Sequence, residues 1–293
     1  MAGPAERACK VGAELGEGPC WSAPEQQLWF VDIKGLKIHR FDPGADKLDS
    51  WDAPAQPGWI FPTECGRMVA GLQSGLHLFD PASGGFDLLA TPEPSEPCNR
   101  LNDAITDRSG AIWFGSMDDG ETRATGRIYR FANGEVVATA IPPCAITNGP
   151  ALSPDGGTLY HVDTLGGSID AYTLDESGLP VSSRRLVTID TRQGYPDGPS
   201  VDAEGCIWIG LFGGWKAHRY TPTGQLLEEV SFPVANITKI AFGGADLCSA
   251  YATTAHKGLS PAERGQQPDA GDIFTFRVDV PGLPAPKASL TTS

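Results

Sequence analysis

The sequence predicts an all-β chain, a six-bladed β-propeller of four-stranded antiparallel blades, and three observations carry that expectation. Short apolar cores return at Leu28-Trp29-Phe30-Val31, Met68-Val69-Ala70, Ile112-Trp113-Phe114, Leu159-Tyr160-His161-Val162, Ile207-Trp208-Ile209 and Ala250-Tyr251-Ala252. Their starts are spaced by roughly 40 to 48 residues, the period of a four-stranded blade. About ten to twenty residues after each core comes a segment that alternates apolar and mostly polar positions, as a strand with one buried face must. These are Ile38-His39-Arg40-Phe41, Leu76-His77-Leu78-Phe79, Ile128-Tyr129-Arg130-Phe131, Ile169-Asp170-Ala171-Tyr172, Ala217-His218-Arg219-Tyr220 and Ile273-Phe274-Thr275-Phe276. Turn signals such as Asp42-Pro43-Gly44, Asn133-Gly134 and Ser153-Pro154-Asp155-Gly156 frame the pairs. A β-sandwich also spaces its strands regularly, but it has no reason for one long repeat to return six times.

A length of 293 residues would suit two ordinary domains, yet closed all-β architectures often run this long, and one propeller over residues 1–293 is expected. Long stretches of 3.6-residue apolar periodicity are missing. The formal net charge of −14 repels nucleic-acid phosphates and anionic lipid alike, with no local cluster of Lys or Arg to offset it. Neither nucleic acid nor membrane is expected as a partner. Met1 to Lys10 has no apolar run of the signal-peptide kind, and the most apolar stretch, Ile207 to Trp215, falls far short of the roughly 20 residues of a spanning helix. Seven cysteines, an odd number without CxxC spacing, point to reduced thiols in a reducing compartment. A cytoplasmic monomer or small homo-oligomer is the expectation.

Function enters through a second recurrence. Glu17-Gly18-Pro19, Asn148-Gly149-Pro150 and Asp197-Gly198-Pro199 each place an oxygen-bearing side chain before Gly-Pro, about ten or eleven residues ahead of an apolar core. In a propeller the strand before each core lines the central channel, so Glu17, Asn148 and Asp197 should converge on the axis. Three hard oxygen donors at one point describe a site for one divalent cation, such as calcium, zinc, manganese, magnesium or iron(II). Two carboxylates brought together there would raise each other's pKa unless a cation lay between them. Each Gly-Pro pair is expected to form a tight turn that fixes the preceding side chain.

The third repeat has Arg100-Leu101-Asn102-Asp103-Ala104 at the channel position instead. Arg100 can hydrogen-bond the oxygens of a bound ligand, and Asn102 can bind a hydroxyl or a metal-bound water. Serine-hydrolase chemistry lacks its GxSxG elbow. Cys20, Cys98 and Cys144 lie near the motifs without a paired histidine, and His161, on a core strand, reads as a packed histidine.

At these residues the chain resembles the senescence-marker-protein/gluconolactonase/regucalcin family of six-bladed propeller sugar lactonases. The resemblance runs in order through Leu15-Gly16-Glu17-Gly18-Pro19, Trp29-Phe30-Val31-Asp32-Ile33, Arg100-Leu101-Asn102-Asp103-Ala104, Gly115-Ser116-Met117, Ile146-Thr147-Asn148-Gly149-Pro150, Tyr195-Pro196-Asp197-Gly198 and Phe242-Gly243-Gly244. Ile33-Lys34, His161-Val162-Asp163-Thr164 and Gly210-Leu211-Phe212-Gly213-Gly214 look most like bacterial pentonolactonases such as xylonolactonases and arabinonolactonases. The resemblance implies a lactonase that hydrolyses a pentono- or hexonolactone to the aldonic acid. It implies that Glu17, Asn148 and Asp197 bind one divalent metal and that Arg100 and Asn102 hold the sugar lactone. Leu101 departs from the proline common in the family. A substrate-contacting acid after Gly115-Ser116-Met117 falls on Asp119 or Glu121, with Glu121 preferred. Among the metal-site residues Asp197 is the expected general base, returning its proton to the leaving ring oxygen. A phosphotriesterase-like hydrolase and a non-catalytic calcium-binding regulator are the alternatives.

Overall fold

The computed structural model describes residues 3–290, and nearly all of its regular structure is β. Four sheets are four-stranded and antiparallel, each built from consecutive strands. The first is Gly16–Ser22, Gln27–Asp32, Lys37–Asp42 and Lys47–Asp52. The second is Pro57–Pro62, Met68–Leu72, Gly75–Asp80 and Gly85–Ala90. The third is Asn99–Thr106, Ile112–Asp118, Ile128–Ala132 and Glu135–Ala138, and the fourth is Thr147–Leu152, Thr158–Asp163, Ser168–Leu174 and Pro180–Thr188. The remaining strands form one eight-stranded sheet. Half of it is Tyr195–Val201, Ile207–Phe212, Lys216–Tyr220 and Leu226–Ser231. The other half is Asn236–Gly243, Ser249–Ala255, Ile273–Arg277 and the N-terminal strand Glu6–Cys9. A single parallel bridge, Gly198 to Lys239, joins the halves.

Every apolar core read from the sequence lies in the second strand of its set, and every alternating segment in the third. The leading strands Gly16–Ser22, Pro57–Pro62, Asn99–Thr106, Thr147–Leu152, Tyr195–Val201 and Asn236–Gly243 pack each against the next, and the last packs back on the first. The result is a closed, propeller-like ring. Pairing of Glu6–Cys9 with Ile273–Arg277 ties the N-terminal segment to the last strands and covers an edge that would otherwise be open.

Apolar faces of adjacent sheets fill the space between them. Trp59, Phe61, Val69, Ile112 and Phe114 make one such layer, all buried. One device recurs in three sets. The indoles of Trp29, Trp113 and Trp208 donate to Glu25, Asp107 and Asp202 at 3.0, 3.0 and 3.1 Å. Arg40, Arg130 and Arg219 lie 5.4, 5.5 and 5.9 Å from those ring centres, close enough for a cation–π contribution of about 0.5–1 kcal/mol each.

The Gly-Pro pairs are not turns. They lie inside the leading strands Gly16–Ser22, Thr147–Leu152 and Tyr195–Val201. In all six leading strands the pairing register shifts at this level, between Glu17 and Cys20, Pro57 and Trp59, Leu101 and Ala104, Asn148 and Ala151, Pro196 and Pro199, and Ile237 and Ile240. A proline has no N–H for the ladder, and Gly18 and Gly149 adopt φ of +54° and +77°, so the strand bulges and re-aims the neighbouring side chain. Gly58 serves closeness instead, since a Cβ there would stand 2.5 Å from the Leu101 carbonyl oxygen of the next leading strand. Among the described residues no helix is long and apolar enough to cross a membrane.

Candidate active site

The bulges of four leading strands form the floor of a cavity of about 270 Å³ at one end of the channel. Glu17, Arg100, Asn102, Asn148 and Asp197 all line it, brought from four leading strands, and Glu121 reaches it from the loop after Ile112–Asp118. Leu15, Met117, Ile146, Leu165, Tyr195 and Phe212 supply apolar wall.

Burial and like charge dominate the floor. Burial, then the nearby Asp103 carboxylate, pushes the Glu17 carboxyl up to about 7, against the hydrogen bond it accepts from the Gly18 N–H at 3.0 Å. Asp197 is raised well above the carboxylate range by burial and then by Glu17. Among the described residues the Asp197 carboxyl has no hydrogen-bond partner, although the residue is only 7% exposed. Asn148 is oriented by its amide nitrogen, which donates to Thr164 Oγ1 at 2.9 Å, while its Oδ1 accepts from Asn102 at 3.1 Å and keeps a lone pair.

Two buried carboxyls, one without a partner, and a fixed amide oxygen facing one cavity fit a hard divalent cation. The described residues hold no group of three His, Cys, Asp or Glu placed as metal ligands, so a cation here needs the amide oxygen of Asn148 to complete a three-donor set.

Arg100 is held by its neighbours. Nε donates to Asp119 Oδ1 at 3.0 Å, and Nη1 to Asn102 Oδ1 at 2.6 Å and to the Leu101 carbonyl at 3.3 Å. Burial lowers the Arg100 pKa, and Asp119 opposes that. Asp119 itself takes Lys34 Nζ at 2.6 Å and Gln56 Nε2 at 3.1 Å. Burial pushes its carboxyl up, but these partners outweigh burial and leave it below the usual range. Asp119 therefore stands behind Arg100, and Glu121 is the acid at the cavity. The Asn102 amide is engaged at both ends, with Nδ2 also donating to the Thr147 carbonyl at 2.8 Å, so its clearest action is to align Arg100 with Asn148.

Sequence reasoning left out three residues. Asp103 has no role in the sequence reading, but it is buried and accepts from the Gly149 and Ala104 amides at 2.8 and 2.7 Å. Its ion-pair partner is Lys239, from the leading strand Asn236–Gly243. Lys257 lines the cavity and pairs with Glu121. Both lysines meet acids 136 positions away in sequence, and only the repeat register could have suggested the first. None of Cys20, Cys98, Cys144 and His161 lines the cavity. Contrary to the sequence reading, Cys144 does have a histidine beside it, with Sγ 4.0 Å from His161 Nε2. Burial pushes His161 down to about 4 and Cys20 and Cys144 up to about 12. All seven cysteines are free.

A ring of β-sheets whose bulged inner strands present carboxylates, amides and an arginine to one axial cavity is the frame of a propeller hydrolase or cation binder. The chain belongs to the SMP-30/Gluconolactonase/LRE-like family, whose model matches residues 15–256. It is 34% identical to a 6-deoxy-6-sulfogluconolactonase of Pseudomonas putida, over 93% of this chain and 94% of that one. It is 33% identical to an L-arabinolactonase of Azospirillum brasilense, over 92% and 90%. Its fold is similar to that of a calcium-binding protein, regucalcin, from Agrobacterium tumefaciens, with a TM-score of 0.94, 27% identity and 99% and 98% coverage.

Proposed function

We propose that this chain is a divalent-cation-dependent lactonase that hydrolyses a pentono- or hexonolactone to the aldonic acid. The observation that carries the reading is the unpartnered, buried Asp197 carboxyl in one cavity with Glu17, Asn148 and Arg100. The relatives named as lactonases support it. Counting the eight-stranded sheet as two blades joined at Gly198 and Lys239 supports reading the chain as a single six-bladed propeller. Free thiols suit a reducing, cytoplasmic setting.

Glu17, Asn148 and Asp197 would hold the cation, which supplies Lewis acidity toward the lactone carbonyl when bound. Arg100, fixed by Asp119, offers Nη2 to substrate oxygens. Asp197 takes a proton from water as the water oxygen bonds to the carbonyl carbon. The bond from that carbon to the ring oxygen then breaks, and the proton on Asp197 passes to the departing ring oxygen. Leu15, Tyr195 and Phe212 offer apolar wall to the lactone ring.

A pH-stat assay on a panel of aldonolactones, with and without chelator, tests the reading. At saturating cation, Asp197→Asn should bind metal more weakly yet lose roughly 10²–10⁴-fold in turnover. A metal-loaded Asp197→Asn protein within a few-fold of the parent would remove Asp197 as the base, and full activity in chelator would remove the cation.

A further inference from the structure

Two ion pairs span the channel between the same two parts of the ring, one beneath the cavity and one at its mouth. Beneath it, Lys239 of Asn236–Gly243 meets Asp103 of Asn99–Thr106, with side chains 8% and 1% exposed. At the mouth, Lys257, just past Ser249–Ala255, meets Glu121, just past Ile112–Asp118, with side chains 29% and 38% exposed. The lower pair is buried, although Lys239 also lines a second cavity. The upper pair faces the cavity and, being half in water, stabilises the fold by no more than about 1 kcal/mol, so a ligand can part it at little cost.

Both backbones beneath the upper pair are fixed. The Lys257 N–H donates to the Glu14 carbonyl at 2.8 Å, and its own carbonyl accepts from the buried Asn236 amide at 3.1 Å. Glu121 has a left-handed φ of 58°. It sits in a loop clamped by Asp118, which accepts from the Thr122 and Arg123 amides at 3.1 and 3.0 Å. A left-handed glutamate is a small local strain, here at a residue that lines the cavity.

Resting on the lactonase reading, we infer that Lys257 is a substrate-contacting, specificity-determining residue that with Glu121 selects lactones whose exocyclic arm carries an uncharged hydroxyl. An ammonium offers three donors and a carboxylate only acceptors. A hydroxyl accepts from one and donates to the other, so it inserts between Lys257 and Glu121 with both kept satisfied. A phosphate or sulfonate on that arm would gain from Lys257 but meet the Glu121 carboxylate beside it, and like charges at this distance oppose binding. Substrates with an anionic arm are therefore the disfavoured class.

The test uses the cation-loaded full chain and three lactones that differ only at the exocyclic carbon: hydroxymethyl, methyl and phosphorylated hydroxymethyl. Lys257→Met should raise KM for the hydroxymethyl lactone about 10-fold, the scale of a hydrogen bond to a charged group, and leave KM for the methyl lactone within about 3-fold. Lys257→Arg, which keeps charge and donors, should recover most of the loss. Glu121→Gln should improve kcat/KM for the phosphorylated lactone relative to the hydroxymethyl one. Melting temperature and metal content, measured on each variant, identify any loss due to misfolding or an emptied site; should Lys257→Met misfold, the Lys257→Arg and Glu121→Gln ratios decide. Equal losses by Lys257→Met on the methyl and hydroxymethyl lactones, or no loss on either, overturn the assignment while the parent's activity leaves the lactonase reading standing. A parent that opens none of the three overturns both.

Discussion

Removing the buried ion pair beneath the cavity should separate what it does for the fold from what it does for the site. Asp103→Asn keeps an acceptor for the Gly149 and Ala104 amides but leaves the Lys239 ammonium, only 8% exposed, without its anion. Among the described residues its one other acceptor is the Ala104 carbonyl at 3.2 Å. Breaking a buried pair on one side typically costs 3–5 kcal/mol. For 293 residues, at about 2.1 cal/mol/K of unfolding entropy per residue, that is a fall in melting temperature of about 5–8 °C. Lys239→Met should cost less, about 1–3 kcal/mol, because two backbone amides still solvate the Asp103 carboxylate. The double variant should lose less stability than the sum of the two, since Lys239→Met removes the unpaired buried ammonium that Asp103→Asn alone leaves behind. Urea denaturation followed by circular dichroism measures all three. A loss below about 1 kcal/mol for Asp103→Asn, or strict additivity in the double variant, would refute the view that this pair is buried and coupled.

Two further outcomes follow from the floor of the cavity. Arg100→Ala should cost lactone turnover while metal content stays at one ion per chain, because among the described residues Arg100 hydrogen-bonds none of the candidate donors directly and reaches Asn148 through Asn102; loss of metal would place it in the cation's shell. Without cation, Glu17 holds its proton up to about pH 7 against an ordinary value of 4.5, so the folded state binds protons that the unfolded chain has released. Stability of the metal-free protein should then fall by a few kcal/mol as pH rises from about 4.5 through 7, and the thermal shift on adding cation should be larger at pH 8 than at pH 6. Equal shifts would mean that Glu17 is not displaced from its proton by the ion.

The strands were legible because each core must be apolar on both faces and each following strand on one, a pattern written into consecutive residues such as Leu28 to Val31 and Ile38 to Phe41. The candidate donors were legible for a related reason. In three of the six leading strands the bulge is marked by Gly-Pro, which sets a residue tolerant of positive φ beside one without an N–H in adjacent letters. The same letters misled as to form, since they ordinarily mark a turn; only the ladder on either side, Gly16 opposite Asp32 and Cys20 opposite Trp29, makes the pair a bulge. Asp103, Lys239 and Lys257 were illegible because their meaning lies in partners on other strands. A lysine in Asn236–Gly243 has no local reason to be buried, and it becomes intelligible once the ring sets it opposite Asp103. Local sequence therefore encodes the groups that face the axis, whereas closure of the ring alone encodes which charges meet across it. Asp119 accordingly meets Arg100 inside one hairpin, 19 positions away, whereas Lys257 meets Glu121, 136 positions away, because the ring closes.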